Sequence, residues 1–145
     1  MRRIRELILK LVLPLTIILF GTITQWKYVI VEDGPDDFLD GFPLSFICNG
    51  WHTSLSLQIF VLELLFDFFV YFIFCSTIVI LTDKFIKQIS VKKYVKIGLY
   101  GFATITLLLY GLVFSNPDNI FKIKRDFNYK EIRNGYKFVW QQDKR

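Results

Sequence analysis

Hydrophobic positions in this chain do not follow the 3.6-residue or two-residue period of half-buried elements; they are gathered in three blocks. The blocks run from Leu7 to Trp26, from Leu55 to Leu81, and from about Ile97 to Phe114. A helix that crosses a bilayer takes about 20 mainly apolar residues. The pattern therefore predicts an α-helical integral membrane protein with three transmembrane helices, over residues 7–26, 55–82 and 97–115. The polar remainder divides into an N-terminus at 1–6, a first loop at 27–54, a second loop at 83–96 and a tail at 116–145.

The first block follows Arg2, Arg3 and Arg5, as a secretory signal would, but no Ala-x-Ala-like site comes after it. A retained first span is expected. Lys10 lies one turn inside and snorkels to the headgroups. Pro14 bends the helix, and Trp26 and Tyr28 fit an interfacial aromatic belt.

Charge sets the sides. The first loop sets five carboxylates (Glu32, Asp33, Asp36, Asp37, Asp40) against Lys27, a formal charge of −4. The second loop carries Lys84, Lys87, Lys92, Lys93 and Lys96. By the positive-inside rule the second loop and the N-terminus are cytoplasmic, the first loop extracytoplasmic, and the tail likewise after three spans. The tail holds eight basic residues, but charges near a C-terminus seldom set orientation.

The polar segments carry strand signals as well. KYVIVE in the first loop reads as a short strand, and FNYKEIR-NG-YKFVWQ in the tail as a β-hairpin about an Asn134-Gly135 turn. The tail has a formal charge of +4, opposite to that of the first loop. The two are expected to pair into a small extracytoplasmic β element.

Composition narrows the class further. Of 145 residues, 53% are hydrophobic and 18% aromatic, more than a soluble domain of this length could bury. The net charge of +5 sits where a membrane protein keeps its topology signals, so it requires no nucleic acid. The partners implied are the lipid bilayer and a membrane protein, or further copies of the chain.

The second block holds the candidate site. Glu63 and Asp67 lie four residues apart, one helical turn above the other on a single face, with Tyr71 one turn further. Nineteen Leu, Ile, Val or Phe residues in 55–81 favour insertion by roughly 6–11 kcal/mol, against about 5–7 for the two acids. The segment still inserts. Thr104, Thr106 and Tyr110 of the third span are the expected polar partners of the pair within the chain.

Other chemistry is thin. The acidic turn lacks the alternating spacing and terminal Glu of an EF-hand, and His52, the single histidine, cannot build a zinc site. Cys48 and Cys75 have no CxxC spacing, and no nucleophile–base pair or phosphate loop occurs. No cofactor, metal or catalytic residue is expected.

The GFPL motif at Gly41–Leu44, followed by a Phe-rich span with Asp67 at its centre, resembles small bacterial membrane proteins with a GFP-type extracytoplasmic loop before the second span. The resemblance covers Gly41 to Phe74 and implies a bacterial plasma-membrane protein, at the inner membrane in a Gram-negative cell; it brings no activity. The sequence thus points to a non-enzymatic accessory or interaction protein of the assembly or immunity type. The alternative is an oligomeric ion or proton pathway through Glu63 and Asp67.

Overall fold

The first apolar run changes secondary structure part-way along. In the computed structural model, which describes residues 2–141, Arg2–Leu7 (α1) is helical, Ile8–Val12 forms a π turn and Leu13–Thr22 (α2) is helical again. Ile23–Val31 (β1) is then a strand. Met1 and residues 142–145, the end of the expected tail, lie outside the described residues. Five more strands follow: Asp37–Asp40 (β2), Ile47–Asn49 (β3), Leu57–Phe60 (β4), Ile120–Lys122 (β5) and Tyr129–Phe138 (β6). Between β4 and β5 come Val61–Leu81 (α3), a π turn at Thr82–Ile86, and Lys93–Phe114 (α4).

The expected three-span helical fold is corrected to an α/β fold built around a six-stranded mixed sheet. Two helices, Val61–Ile86 and Lys93–Phe114, are long and apolar enough to cross a membrane. The reason lies in what run length measures. It counts apolar residues without asking which partner they meet. ITQWKYVIV and LQIF are rich in β-branched and aromatic side chains that suit a pleated surface, and backbone partners elsewhere in the chain claim them.

The chain divides into two compact units, one of residues Met1–Gly21 and Phe68–Gly111, the other of Thr22–Asp67 and Leu112–Arg145. The second contains the whole sheet, in the order β5-β4-β3-β2-β1-β6. Only β4 and β5 run parallel; the other neighbours are antiparallel. The core gathers Val29, Val31, Leu39, Cys48 and Phe60, with Phe127 and Tyr129 packed against them.

The longest ladder joins β1 to β6, from Ile23↔Phe138 to Val31↔Tyr129, with one irregularity at Tyr28/Val29. Asn134 and Gly135 lie inside β6 rather than turning a hairpin. A type I′ turn needs positive φ at both central residues, and among the described residues only Gly41 has it. The indole of Trp26, opposite Gly135, occupies the space where a side chain would be: a Cβ there would come within 2.9 Å of Trp26 Nε1.

In the helical unit, the π turn directly precedes Pro14, which has no N–H to donate, and the Leu13 N–H reaches back to the Ile8 carbonyl. Leu7, Val12, Cys75 and Val79 form the core, flanked by Leu11, Leu19 and Phe72. Arg3 grips Asp83 through two hydrogen bonds of 2.7 and 3.1 Å, while Asp83 also accepts the Ile89 N–H at 2.7 Å. Tyr100 donates to the Leu9 carbonyl at 2.6 Å.

Candidate functional site

Glu63 and Asp67 sit at the start of α3, within the sheet unit, and both side chains are buried. Glu63 falls in the first helical turn, where unpaired N–H groups and the helix dipole favour a carboxylate. One oxygen of each acid is held by main-chain amide. Glu63 Oε1 accepts the Arg125 N–H at 3.2 Å, and Asp67 Oδ1 accepts the Leu44 N–H at 2.9 Å. The other two oxygens, Glu63 Oε2 and Asp67 Oδ2, are buried without a hydrogen-bond partner.

The amide partners belong to loops of the sheet unit. Leu44 closes the GFPL turn, in which Gly41 adopts φ 142° and the Phe42–Pro43 peptide is cis. Arg125 follows β5, and the same loop accepts the Leu62 N–H at the Ile123 carbonyl, 3.0 Å away, satisfying a first-turn donor of α3. The pair therefore anchors two loops to the helix start. Each satisfied oxygen ties one loop.

The remaining candidates lie elsewhere. The Tyr71 ring meets Phe20 edge-on at 5.6 Å. Thr104 and Thr106 donate to carbonyls of their own helix, those of Tyr100 and Phe102, at 2.8 and 3.0 Å. Such back-bonding spends the hydroxyl proton locally. Thr106 and Tyr110 face Gly21 of α2, where an added Cβ would come 2.2 Å from Thr106 Cγ2 and 3.2 Å from Tyr110 Cε2.

Asp37 is a buried acid that the sequence offers only as one of the five loop carboxylates. Its Oδ1 accepts the Phe38 N–H at 2.7 Å and the Asn49 amide at 2.5 Å, and its Oδ2 the Asn49 N–H at 3.1 Å. Burial raises its pKa above the usual carboxylate range, against the lowering pull of these bonds. In the strand DFLD, Asp37 shares the buried positions with Leu39, two residues on. Asp126 is the opposite case: exposed, paired with Lys122 at 2.8 Å, and held below the usual range by that bond.

The Cys48 thiol is buried in the core beside Val29 and Leu39, and desolvation pushes its pKa up to about 12. His52 is tied by Nε2 to the Asp118 carbonyl at 3.0 Å. Among the described residues no group of three or more His, Cys, Asp or Glu side chains is disposed to hold a metal.

No protein-family model, curated protein or solved structure matches the chain.

Proposed function

We propose that the chain is a non-enzymatic integral membrane accessory protein that binds a protein partner, with α3 and α4 in the bilayer. The observation that carries this is exposure. Only 17% of the apolar window in Val61–Ile86 and 6% of that in Lys93–Phe114 is buried within the chain. A core helix of a soluble protein would be mostly covered. Here Phe69, Ile73 and Phe74 of α3, and Phe102, Leu108 and Leu112 of α4, are exposed. An apolar surface of that extent calls for lipid or a partner.

With each helix crossing once, β4 leads directly into α3 and α4 leads on to β5, so both sheet-bound helix ends share one side. The lysine-rich connection between the helices takes the other side, the cytoplasmic one by the positive-inside rule. Arg3, clamped to Asp83, keeps the N-terminus at that cytoplasmic end. The sheet side is then extracytoplasmic in a bacterial plasma membrane. Its edge strand β6 is ten residues long and exposes Ile132 and Tyr136, a surface for strand pairing or side-chain contact with a partner.

Alkaline carbonate extraction tests the embedding, and photo-crosslinkers at Ile132 and Tyr136 test the partner. Retention in the pellet and a discrete foreign adduct from β6 are expected. Release by carbonate, or adducts no different from those of an exposed control position, would sink the reading.

A second reading, an oligomeric ion or proton pathway, draws on the two buried, unpartnered oxygens of Glu63 and Asp67. It requires Glu63→Gln with Asp67→Asn to abolish flux in liposomes while assembly is kept.

A further inference from the structure

The acids at the lysine-rich end of the helical unit are already committed. Asp83 is bound by the Arg3 guanidinium and the Ile89 N–H. Glu6 is bound by Lys10 at 2.7 Å. Those are the only acidic residues within 2–10 and 82–97. Arg5, Lys84, Lys87, Lys92, Lys93 and Lys96 are all exposed, and no carboxylate among the described residues pairs with any of them. Five positive charges thus stand uncompensated between residues 84 and 96, and a sixth at Arg5.

Apolar side chains stand among them. Phe85, Ile86 and Tyr94 are 71%, 81% and 85% exposed, large apolar side chains interspersed with the lysines. The Lys84 ammonium lies 5.2 Å from the Phe85 ring centre and the Lys96 ammonium 6.0 Å from that of Tyr100, so cation and ring are presented together. The π turn at Thr82–Ile86 closes with the Lys87 N–H on the Thr82 carbonyl, and the chain leaves it extended. Beside it, a cleft of about 370 Å³ lies between Arg3, Glu6, Lys10, Gln88 and Ser90. Its charges are paired off within the chain, so the attraction belongs to the outward lysines and not to the cleft.

We infer that this end of the helical unit is a docking surface for an anionic phospholipid leaflet, the lysines meeting headgroup phosphates while Phe85, Ile86 and Tyr94 enter the headgroup–acyl boundary. The inference rests on the membrane reading above and adds the lipid class. Basic residues near an anionic surface each gain attraction that fades within a Debye length, whereas rings and aliphatic chains gain by leaving water regardless of salt. Charge and insertion are separable.

The test uses the full chain reconstituted into phosphatidylcholine bilayers containing a minority of phosphatidylglycerol, with the retained lipids counted by native mass spectrometry. Phosphatidylglycerol should be enriched about tenfold over its bulk share at low salt. The enrichment should vanish at about 1 M salt, where the screening length is near 3 Å. It should vanish too when Arg5, Lys84, Lys87, Lys92, Lys93 and Lys96 are all changed to Gln, and persist when the five lysines are changed to Arg. Enrichment that survives the glutamines, or that the arginines abolish, overturns the inference, because charge would not be the cause. If the chain resists alkaline carbonate yet retains lipids in bulk proportion, the lipid inference fails alone. If carbonate strips it from either bilayer, the membrane reading fails with it.

Discussion

Lys137 Nζ lies 2.9 Å from Asp40 Oδ2, reaching from β6 to β2 across the intervening strand β1. Lys137 sits opposite Thr24 and Asp40 opposite Trp26, so the ion pair runs diagonally over the ladder that joins the first loop to the tail. A second pair, Lys27 of β1 with Glu131 of β6 at 3.7 Å, lies within the β1–β6 ladder itself. Only the first of these matches a base of the tail with an acid of the loop; in the second the loop supplies the base and the tail the acid.

Breaking the tighter pair from the lysine side should loosen β6. The Lys137 side chain is almost fully buried, so Lys137→Met removes a charge from a place where Asp40 relies on it. A loss of about 1–3 kcal/mol is expected, less than for a fully buried pair because Asp40 is partly solvated. Thermal unfolding in mild detergent, followed by circular dichroism, would show it as a lowered Tm; an unchanged Tm would make the pair ornamental.

Gly21 offers a sharper steric test. Gly21→Ala places a Cβ 2.2 Å from Thr106 Cγ2, a methyl on a stiff β-branched side chain. Overpacking of this kind costs about 1–3 kcal/mol. Thr106→Ser removes that methyl, so the double variant should recover most of the loss. Additive effects in the cycle would refute close approach of α2 and α4 at this point.

Asp37 should give the fold a pH dependence opposite to that of an exposed salt bridge. Its pKa is raised by burial, so the folded state holds the proton more tightly than the unfolded state, whose reference is 3.8. The associated stability is fully present below that reference and is lost as pH rises through the folded value. Asp126, lowered by Lys122, contributes stability above 3.8 that is lost on acidification. Chemical unfolding of wild type and Asp37→Asn across the acid range should show their stability difference shifting against wild type as pH rises, then levelling. A difference that does not change with pH would refute the assignment.

Cys48 should behave as an inert thiol. With its pKa raised from 9.0 to about 12, the thiolate fraction near neutral pH falls about a thousandfold. In a Cys75→Ser background, maleimide labelling of the native protein should be slower than in denaturant by at least that factor. Rapid native labelling would mean that the β3 core opens readily.

Asp67 should matter through Leu44. Asp67→Ala removes the acceptor of the Leu44 N–H and leaves a small void, at a cost of about 2–4 kcal/mol, while Asp67→Asn keeps an acceptor and should cost less. Limited proteolysis within 41–46 reports it: faster cleavage in Asp67→Ala than in Asp67→Asn is expected, and equal rates would detach the GFPL turn from Asp67.

Local composition by itself determined a good deal of this protein. The apolar content of 61–81 and 97–114 was enough to mark both long helices, because a helix satisfies its backbone internally and needs only a suitable run of residues. The pairing of KYVIVE with the tail followed from alternation and opposite charge. Only the tertiary structure decided where strands took over from apolar runs. Leu57–Phe60 is a strand because β3 and β5 supply its hydrogen bonds, and Ile23–Thr24, at the end of an apolar run, is drawn into β1 by β6; run length by itself reports neither partner. Asn134-Gly135, a turn by local chemistry, is drawn straight by the ladder to β1 and by the Trp26 ring over its glycine. Glu63 and Asp67 could be found from their spacing, but their partners are main-chain amides of Arg125 and Leu44, and the one-dimensional pattern of side chains carries no mark of which amide a fold will leave unpaired.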